Sequence, residues 1–200
     1  HIKLSAHMAE QQNSGRGRNN RKWVSPFGQN IYLSLAWRSN LTFSDIEGLS
    51  LAIGVRVAES LEELTNEQIK IKWPNDLLIN EKKLGGILVE TSSDGKDTLE
   101  IIIGIGVNVF MQNKDVNEID QDWTSLENYK KRNLDRNLIA AKILNNLLAL
   151  TKDFKTTGFA GYIKAFENRN ALENKECELI LDGKVSSTGL VTGINDKGEL

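Results

Sequence analysis

Residues 72–90, KWPNDLLINEKKLGGILVE, decide the fold. The Trp-Pro-Asn-Asp segment breaks the chain between a strand from Gln68 to Lys72 and a short strand from Leu77 to Ile79. A tight turn at Asn80 and Glu81 then precedes a third strand, from Lys83 to Glu90. Because consecutive strands joined by tight turns pair as hairpins, this stretch predicts an antiparallel or mixed sheet.

Segments on both sides of this stretch extend the sheet. Residues rich in β-branched and aromatic side chains predict a strand from Asn30 to Arg38. A hairpin turn at residues 93–96 leads into a further strand from Leu99 to Val107. We expect the start of the chain, which holds His1 and His7, to be frayed.

Apolar residues three and four positions apart predict the helices. The first is expected to begin at a capping box of Ser44 and Glu47 and to run to Leu64, with one face against the sheet. The second is expected to begin at Asp135, which can cap it, and to reach Phe154. A shorter helix is expected within residues 159–166. Helices that follow a run of strands indicate an α+β fold.

The pattern of predicted secondary structure changes near Lys175. Short strands separated by glycine turns are expected at Cys177 to Leu181, Lys184 to Thr188 and Gly189 to Ile194. They predict the start of a small β-barrel. The expected organisation is therefore a main domain over residues 1–174 and the start of a second domain over residues 175–200.

Composition narrows the class of protein. A chain of 200 residues, with 40% hydrophobic residues and a net charge of -2, fits a globular domain and argues against a nucleic-acid footprint over the whole chain. Cys177 is the single cysteine, so an internal disulfide is excluded and a cytoplasmic setting is favoured. The chain has no apolar run long enough to span a membrane. It starts at His1 and stops within a strand-like pattern, so we expect a fragment.

A basic loop is the first candidate for chemistry. Gln12 to Trp23 contains four cations between Arg16 and Lys22 and no acid, while Gly15 and Gly17 allow the backbone to approach a ligand closely. Such a segment is suited to wrapping phosphate. A solvated run of charges, or a loop that contacts nucleic acid, explains the same residues.

The Trp-Pro-Asn-Asp turn is the second candidate. Lys72 at the end of a strand can bind phosphate as a point charge, and Asn75 or Asp76 can hold a ribose hydroxyl or water on a metal ion. An ordinary turn, with Trp73 in the core, is the simpler explanation of this segment alone.

Two glycine-containing strands complete the candidates. Lys83 precedes Gly85 and Gly86, and glycines within a strand often mark the close approach of a ligand or another backbone. The lysines there also suit the edge of a sheet, where charge prevents aggregation. The strand from Ile101 to Asn108 contains Gly104 and Gly106 and ends in an amide, which suits polar contact with a nucleotide.

The order of these motifs resembles the biotin protein ligase family over nearly the whole chain. The matching segments are GRGRNNRKW, KWPNDLLINEKKLGGILVE, IGIGVN, Trp123 and the helix start at residues 134–137. The resemblance implies a mixed, largely antiparallel sheet flanked by helices, as in class II aminoacyl-tRNA synthetases and biotin ligases, and then a small SH3-like domain. It also implies biotin and ATP bound side by side on the sheet.

The resemblance assigns roles to individual residues. It implies that Lys83 and Arg18 are catalytic. The residues implied for biotin are Gln12, Gly15, Arg16, Gly17, Arg18, Lys83, Gly86, Gly104 and Gly106. Those implied for ATP, some through its magnesium, are Arg21, Trp23, Lys72, Asn75, Asp76, Asn108, Trp123 and Arg136. In the family an upstream Ser/Thr-Asn motif binds the biotin ring, and residues 1–11 lack it.

The implied activity is activation of biotin by ATP and Mg²⁺ to biotinyl-5'-AMP, followed by transfer to a lysine of a biotin carboxyl carrier protein. A homodimer is a further expectation. No DNA binding is expected of this chain, since it lacks the winged helix of family members that are repressors. A lipoate or octanoate ligase or transferase is the nearer alternative, and a non-catalytic nucleic-acid-binding module is the other.

Overall fold

A six-stranded sheet is the centre of the structure, a computed structural model that describes residues 3–93, 98–112, 119–181 and 183–200. The strand order is β1-β2-β6-β5-β4-β3. Every pair of neighbouring strands is antiparallel, and the parallel contacts found are two isolated bridges, Ile71 to Asn170 and Lys83 to Trp123. The strands are β1 (Lys3–Ala9), β2 (Ile31–Ser39), β3 (Lys70–Lys72), β4 (Asp76–Ile79), β5 (Lys82–Ser93) and β6 (Leu99–Val107).

The two faces of the sheet differ because side chains alternate along each strand. Leu33 lies opposite Ile105, which lies opposite Ile87, and all three are buried. One position along, Ser34 lies opposite Gly104, which lies opposite Leu88. The first row belongs to the core face, and the second belongs to a face with small or polar residues, which we call the open face.

Three helices cover the core face. They are α1 (Leu49–Glu62), α2 (Arg136–Thr157) and α3 (Ile163–Glu167). Helix α1 contacts β3, β4 and β5 on one side and α2 on the other, so it is buried nearly all round. The Asp135 carboxylate accepts hydrogen bonds from the backbone N–H groups of Asn137 and Leu138, which confirms the predicted cap of α2.

The predicted start of α1 is wrong. The helix begins at Leu49, after Gly48, and the Ser44 and Glu47 side chains do not cap it. Instead, the Asp45 carboxylate accepts hydrogen bonds from the Thr42 backbone N–H and hydroxyl. These local bonds stabilise a turn in place of a first helical turn.

The expected frayed start is also wrong, since Lys3–Ala9 form the edge strand β1. Along its whole length β1 pairs with β2, so a distant partner stabilises a segment whose own pattern is weak. The predicted hairpin turn at residues 93–96 falls, apart from Ser93, outside the described residues.

The C-terminal strands form a separate two-stranded sheet of β7 (Glu176–Leu181) and β8 (Lys184–Leu190). One strand thus replaces the two predicted over residues 184–194, and the described residues 191–194 are not in a strand. The Trp73 indole N–H donates to the Gly198 carbonyl over 2.9 Å and joins the tail to the main sheet. The domain boundary at residue 175 and the SH3-like barrel stay predictions.

Within the described part of the chain, no helix is both long enough and apolar enough to cross a membrane.

Gly48 gives a test of the packing above α1. Its φ is +71°, and an added Cβ would lie 2.3 Å from Cγ of the buried Phe159. We expect Gly48→Ala to lower the free energy of unfolding by roughly 2–4 kcal/mol, because overpacking adds to left-handed strain.

Gly28→Ala is the matched control, because Gly28 has the same φ and its added Cβ would be 3.9 Å from the nearest atom. It should cost only the strain, roughly 1–2 kcal/mol. Urea unfolding of both variants makes the comparison. Equal losses would show that the Phe159 ring moves aside at no cost.

Candidate active site

A large cavity lies over the open face of the sheet. Its volume is about 2040 Å³, which exceeds the range of roughly 300–1,000 Å³ typical of small-molecule pockets. It runs from the basic loop at residues 12–25, which we call the arginine loop, across β5 and β6 towards β7 and β8. Fifteen of the predicted site residues line it, namely Gln12, Arg16, Gly17, Arg18, Arg21, Trp23, Lys72, Asn75, Asp76, Lys83, Gly86, Gly104, Gly106, Asn108 and Trp123.

Glycines form the floor of this cavity. Gly86 lies directly opposite Gly106 across the β5–β6 pair, so the sheet presents backbone rather than side chains there. The Trp23 indole lies on Gly106 so closely that an added Cβ would be 2.4 Å from Cζ2 of the ring. Trp23 was predicted to bind ATP, but its side chain packs against Gly86 and Gly106, which were predicted to bind biotin. Its buried indole N–H has no hydrogen-bond acceptor among the described residues.

A β-bulge sets the direction of Lys83. In the β4–β5 pair Leu77 lies opposite Gly85 and Leu78 opposite Lys83, so Leu84 has no partner in β4. Because of this extra residue, Lys83 faces the same side of the sheet as Gly86, although three positions separate them. Leu84 takes the core side and is fully buried. Sequence alternation alone could not have shown this.

The Lys83 ammonium is held between an acid and an aromatic ring. Its Nζ lies 2.9 Å from Oδ1 of Asp76 and 5.7 Å from the centre of the Trp23 ring. Only 17% of the Lys83 side chain and 22% of the Asp76 side chain are exposed. A partly buried ammonium in this position can stabilise negative charge on a ligand more strongly than one in open water.

Backbone bonds bring Trp123 to the same place. The Lys83 N–H donates to the Asp122 carbonyl, and the Thr124 N–H donates to the Lys83 carbonyl, over 3.0 and 2.8 Å. Asn108 supports this segment, because its side-chain amide donates to the Thr124 carbonyl over 3.0 Å. Asn108 is only 4% exposed, so its amide nitrogen stabilises the wall of the cavity.

The Trp-Pro-Asn-Asp turn is fixed to β5. The Asn75 side-chain amide donates to the Ile87 carbonyl over 2.8 Å, and the Ile87 N–H donates to the Asn75 carbonyl over 3.0 Å. Asp76 lies opposite Gly86 and therefore beside the glycine floor. The described residues contain no group of three or more His, Cys, Asp or Glu side chains that could hold a metal ion.

The arginine loop folds back on itself through its own backbone. The Gly17 N–H donates to the Arg21 carbonyl over 2.8 Å, and the Trp23 N–H donates to the Gly15 carbonyl over 2.9 Å. The Arg16 guanidinium lies 3.5 Å from the Glu90 carboxylate, and both side chains are at least half exposed. The loop therefore presents its cations to the cavity from a short hairpin.

Two predicted residues do not line the cavity. Gly15 lies behind Trp23, where an added Cβ would be 2.8 Å from the Trp23 carbonyl oxygen. The Arg136 guanidinium donates to the Glu10 carboxylate over 2.5 Å and to the Asn30 carbonyl over 3.3 Å. Arg136 thus contacts Glu10 and Asn30, and neither of these residues lines the cavity.

Other residues line the cavity that none of the sequence motifs indicated. Ser34 and Leu88 flank Gly104 on the open face. Ser34 carried a signal, because a serine within the apolar run of β2 falls on the face that is not buried.

Comparisons with known proteins agree with this architecture. A model of the biotin/lipoate A/B protein ligase family matches residues 3–108. The chain is 40% identical over 193 residues to the bifunctional ligase/repressor BirA of Escherichia coli (strain K12), which covers 96% of this chain and 60% of that protein. It is 30% identical over 197 residues to a biotin–[acetyl-CoA-carboxylase] ligase of Mycobacterium tuberculosis, covering 96% of this chain and 71% of that protein.

A solved structure is similar along nearly the whole chain. It is the biotin protein ligase from Aquifex aeolicus in complex with biotin and ATP, with a TM-score of 0.81 and 34% identity, covering 96% of this chain and 79% of that one. The present chain spans only 60% of the length of the Escherichia coli relative. Because the family match covers just over half of the 200 residues, the chain belongs to the biotin/lipoate A/B protein ligase family.

Proposed function

We propose that this protein is a biotin protein ligase, which uses ATP to form biotinyl-5'-AMP and transfers the biotinyl group to a lysine of a biotin carboxyl carrier protein. The observation that supports it most strongly is the position of Lys83, an ammonium held beside a glycine floor and below a loop of cations. The names of the relatives support biotin as the acid, and the Aquifex aeolicus complex supports ATP as the second substrate.

The chemistry needs fixed positive charge more than a nucleophilic side chain. In the first step a biotin carboxylate oxygen bonds to the α-phosphorus of ATP, and the bond to pyrophosphate breaks. In the second step the carrier lysine attacks the acyl carbon, AMP leaves, and the amine loses its proton. Negative charge moves between oxygens in both steps, and pre-positioned cations stabilise it. Lys83 and Arg18 are the residues we propose for this role.

The cavity offers two kinds of surface for the two substrates. We assign biotin to the glycine floor with Gln12, Arg16, Gly17 and Arg18 above it, because bare backbone and the Trp23 ring suit a flat, largely apolar ligand. We assign ATP to the region of Lys72, Asp76 and Trp123, with Arg21, Asn75 and Asn108 around it. Residues 16–18 lie on the loop rather than on the sheet, so we expect them to retain the adenylate once it has formed.

Magnesium fits this arrangement. Protein sites for Mg²⁺ on nucleotides often supply only one or two carboxylates, because phosphates and waters complete the shell. Asp76 would be the protein carboxylate, with Asn75 beside it. The ion would neutralise charge on the phosphates as pyrophosphate leaves.

Partner and location follow from the proposed activity. The carrier protein must bring its lysine to the cavity, and we place both proteins in the cytoplasm because Cys177 is a single free thiol. The homodimer stays a prediction. We also expect no DNA binding by this chain, whose net charge is -2.

Exchange of labelled pyrophosphate into ATP tests the proposed function. We expect exchange that depends on biotin and not on lipoate or octanoate, since the exchange reports formation of the adenylate of the acid supplied. Exchange with lipoate alone would make the protein a lipoate ligase. Salt-sensitive DNA binding, with no exchange for any of the three acids, would support the nucleic-acid-binding module.

Replacing Lys83 tests the residue that carries the proposal. We expect Lys83→Ala to lower the rate of biotin-dependent exchange by roughly a hundredfold or more, by analogy with removal of one oxyanion-hole donor. The free energy of unfolding should fall by about 1–3 kcal/mol, because the mostly buried Asp76 carboxylate loses its partner, and the protein should still fold.

Lys82→Ala is the matched control. Lys82 lies opposite the buried residue Ile79 at the start of β5. Its side chain is exposed and does not line the cavity. It should retain the parental exchange rate. Equal, small losses in both variants would refute the role of Lys83, and so would a collapse of stability in Lys83→Ala.

A further inference from the structure

A set of hydrogen bonds closes the base of the arginine loop at the edge of the cavity. The Ser25 hydroxyl accepts a hydrogen bond from the Gln12 N–H over 3.1 Å and donates one to the Gln12 carbonyl over 2.8 Å. One side chain therefore replaces a backbone pair between the two ends of the loop. Ser25 is buried, so water competes little for these bonds. We call Gln12 and Ser25 the neck of the loop.

The residues just outside the neck are also joined. The Gly28 N–H donates to the Glu10 carbonyl over 3.0 Å. The Tyr32 hydroxyl donates to the Pro26 carbonyl over 2.9 Å, and burial raises the pKa of Tyr32 to about 12. The bond between Gly28 and Glu10 continues the pairing of the two chain segments beyond the neck, and the bond between Tyr32 and Pro26 holds the second segment in place.

Arg136 connects this region to helix α2. Its guanidinium donates to the Glu10 carboxylate over 2.5 Å and to the Asn30 carbonyl over 3.3 Å. Its side chain is 20% exposed, and that of Glu10 is 55% exposed. Arg136 is the first residue of α2, where the helix dipole disfavours a cation. The Glu10 carboxylate offsets that cost, so the charge at this position is explained by the pair.

We propose that Arg136 is a positioning residue that acts through Glu10 to fix the neck of the arginine loop, and not a residue that contacts the nucleotide. This inference rests on the proposed function. The path runs from Arg136 to Glu10, which is two residues before Gln12, and from the neck to Gly15, Arg16 and Arg18. Loosening the base should let the cations above the glycine floor leave the ligand more often. Retention of the adenylate should therefore suffer more than its formation.

We call the Arg136–Glu10 pair the clamp. Hydrogen exchange of the substrate-free protein tests the clamp without any assumption about the reaction. We expect Arg136→Ala and Glu10→Gln to raise the exchange rate of amides in residues 12–25 by about tenfold, since each removes the same charge-assisted bond. The double variant should add little to either single change, because partners in one contact are not independent. Arg136→Lys, which keeps the charge, should recover part of the protection.

Lys142→Ala is the matched control. Lys142 also lies on α2 and pairs with Glu63, with 29% and 61% of the two side chains exposed, but this pair is far from the loop in the chain and outside the cavity lining. It should leave exchange in residues 12–25 unchanged. Equal effects from Arg136→Ala and Lys142→Ala would reduce the clamp to a general effect on α2 and overturn the proposal, as would no change in Arg136→Ala.

Kinetics distinguish positioning from contact with the nucleotide. We expect Arg136→Ala to speed dissociation of biotinyl-5'-AMP by about tenfold while the KM for ATP stays at the parental value. A rise in the KM for ATP with unchanged adenylate dissociation would overturn the proposal and restore the nucleotide role. Absence of exchange activity in the parent would refute the proposed function instead, and the substrate-free hydrogen exchange would still decide whether the clamp exists.

Discussion

The β-bulge at Leu84 allows Lys83 and Gly86 to share one face of β5, which strict alternation of side chains would forbid. In a regular strand with Gly86 on the open face, Lys83 would point towards the core. An ammonium buried there without a partner would destabilise the fold. The bulge instead gives the core position to Leu84 and places the ammonium next to Asp76. The Lys83 ammonium therefore lies next to both the glycine floor and the Trp-Pro-Asn-Asp turn.

The sheet and the arginine loop contribute in different ways. Hydrogen bonds between neighbouring strands hold Gly86, Gly104 and Gly106 in the same sheet that carries the core residues Leu33, Ile87 and Ile105. The loop depends on a few bonds of its own, chiefly Gly17 to Arg21, Trp23 to Gly15 and the two bonds between Gln12 and Ser25. Few bonds and exposed cations make a segment whose local stability is low, and such segments commonly serve as lids. A fixed floor below a weaker loop suits the proposed function, in which a reactive adenylate is held until a lysine of a second protein attacks it.

Sequence reasoning predicted the features whose causes are local. The bounds of β6 and the Asp135 cap follow from apolar periodicity and from one side chain, and both are confirmed. Strand β1 was missed because its stability comes from pairing with β2, more than twenty residues away in the chain. The capping box failed because Thr42 and Asp45 form a competing turn. Arg136 was assigned to the nucleotide by family resemblance, while its contacts depend on Glu10, which no pattern connects to it.

A crystal structure of the protein with biotin and a non-hydrolysable ATP analogue tests whether Lys83 lies where the two substrates meet. We predict that biotin lies over Gly104, beside the Trp23 ring that covers Gly106. We also predict that the biotin carboxylate and the α-phosphate lie within hydrogen-bond distance of Lys83 Nζ. Ligands bound elsewhere in the cavity, with Lys83 still paired to Asp76 alone, would contradict it.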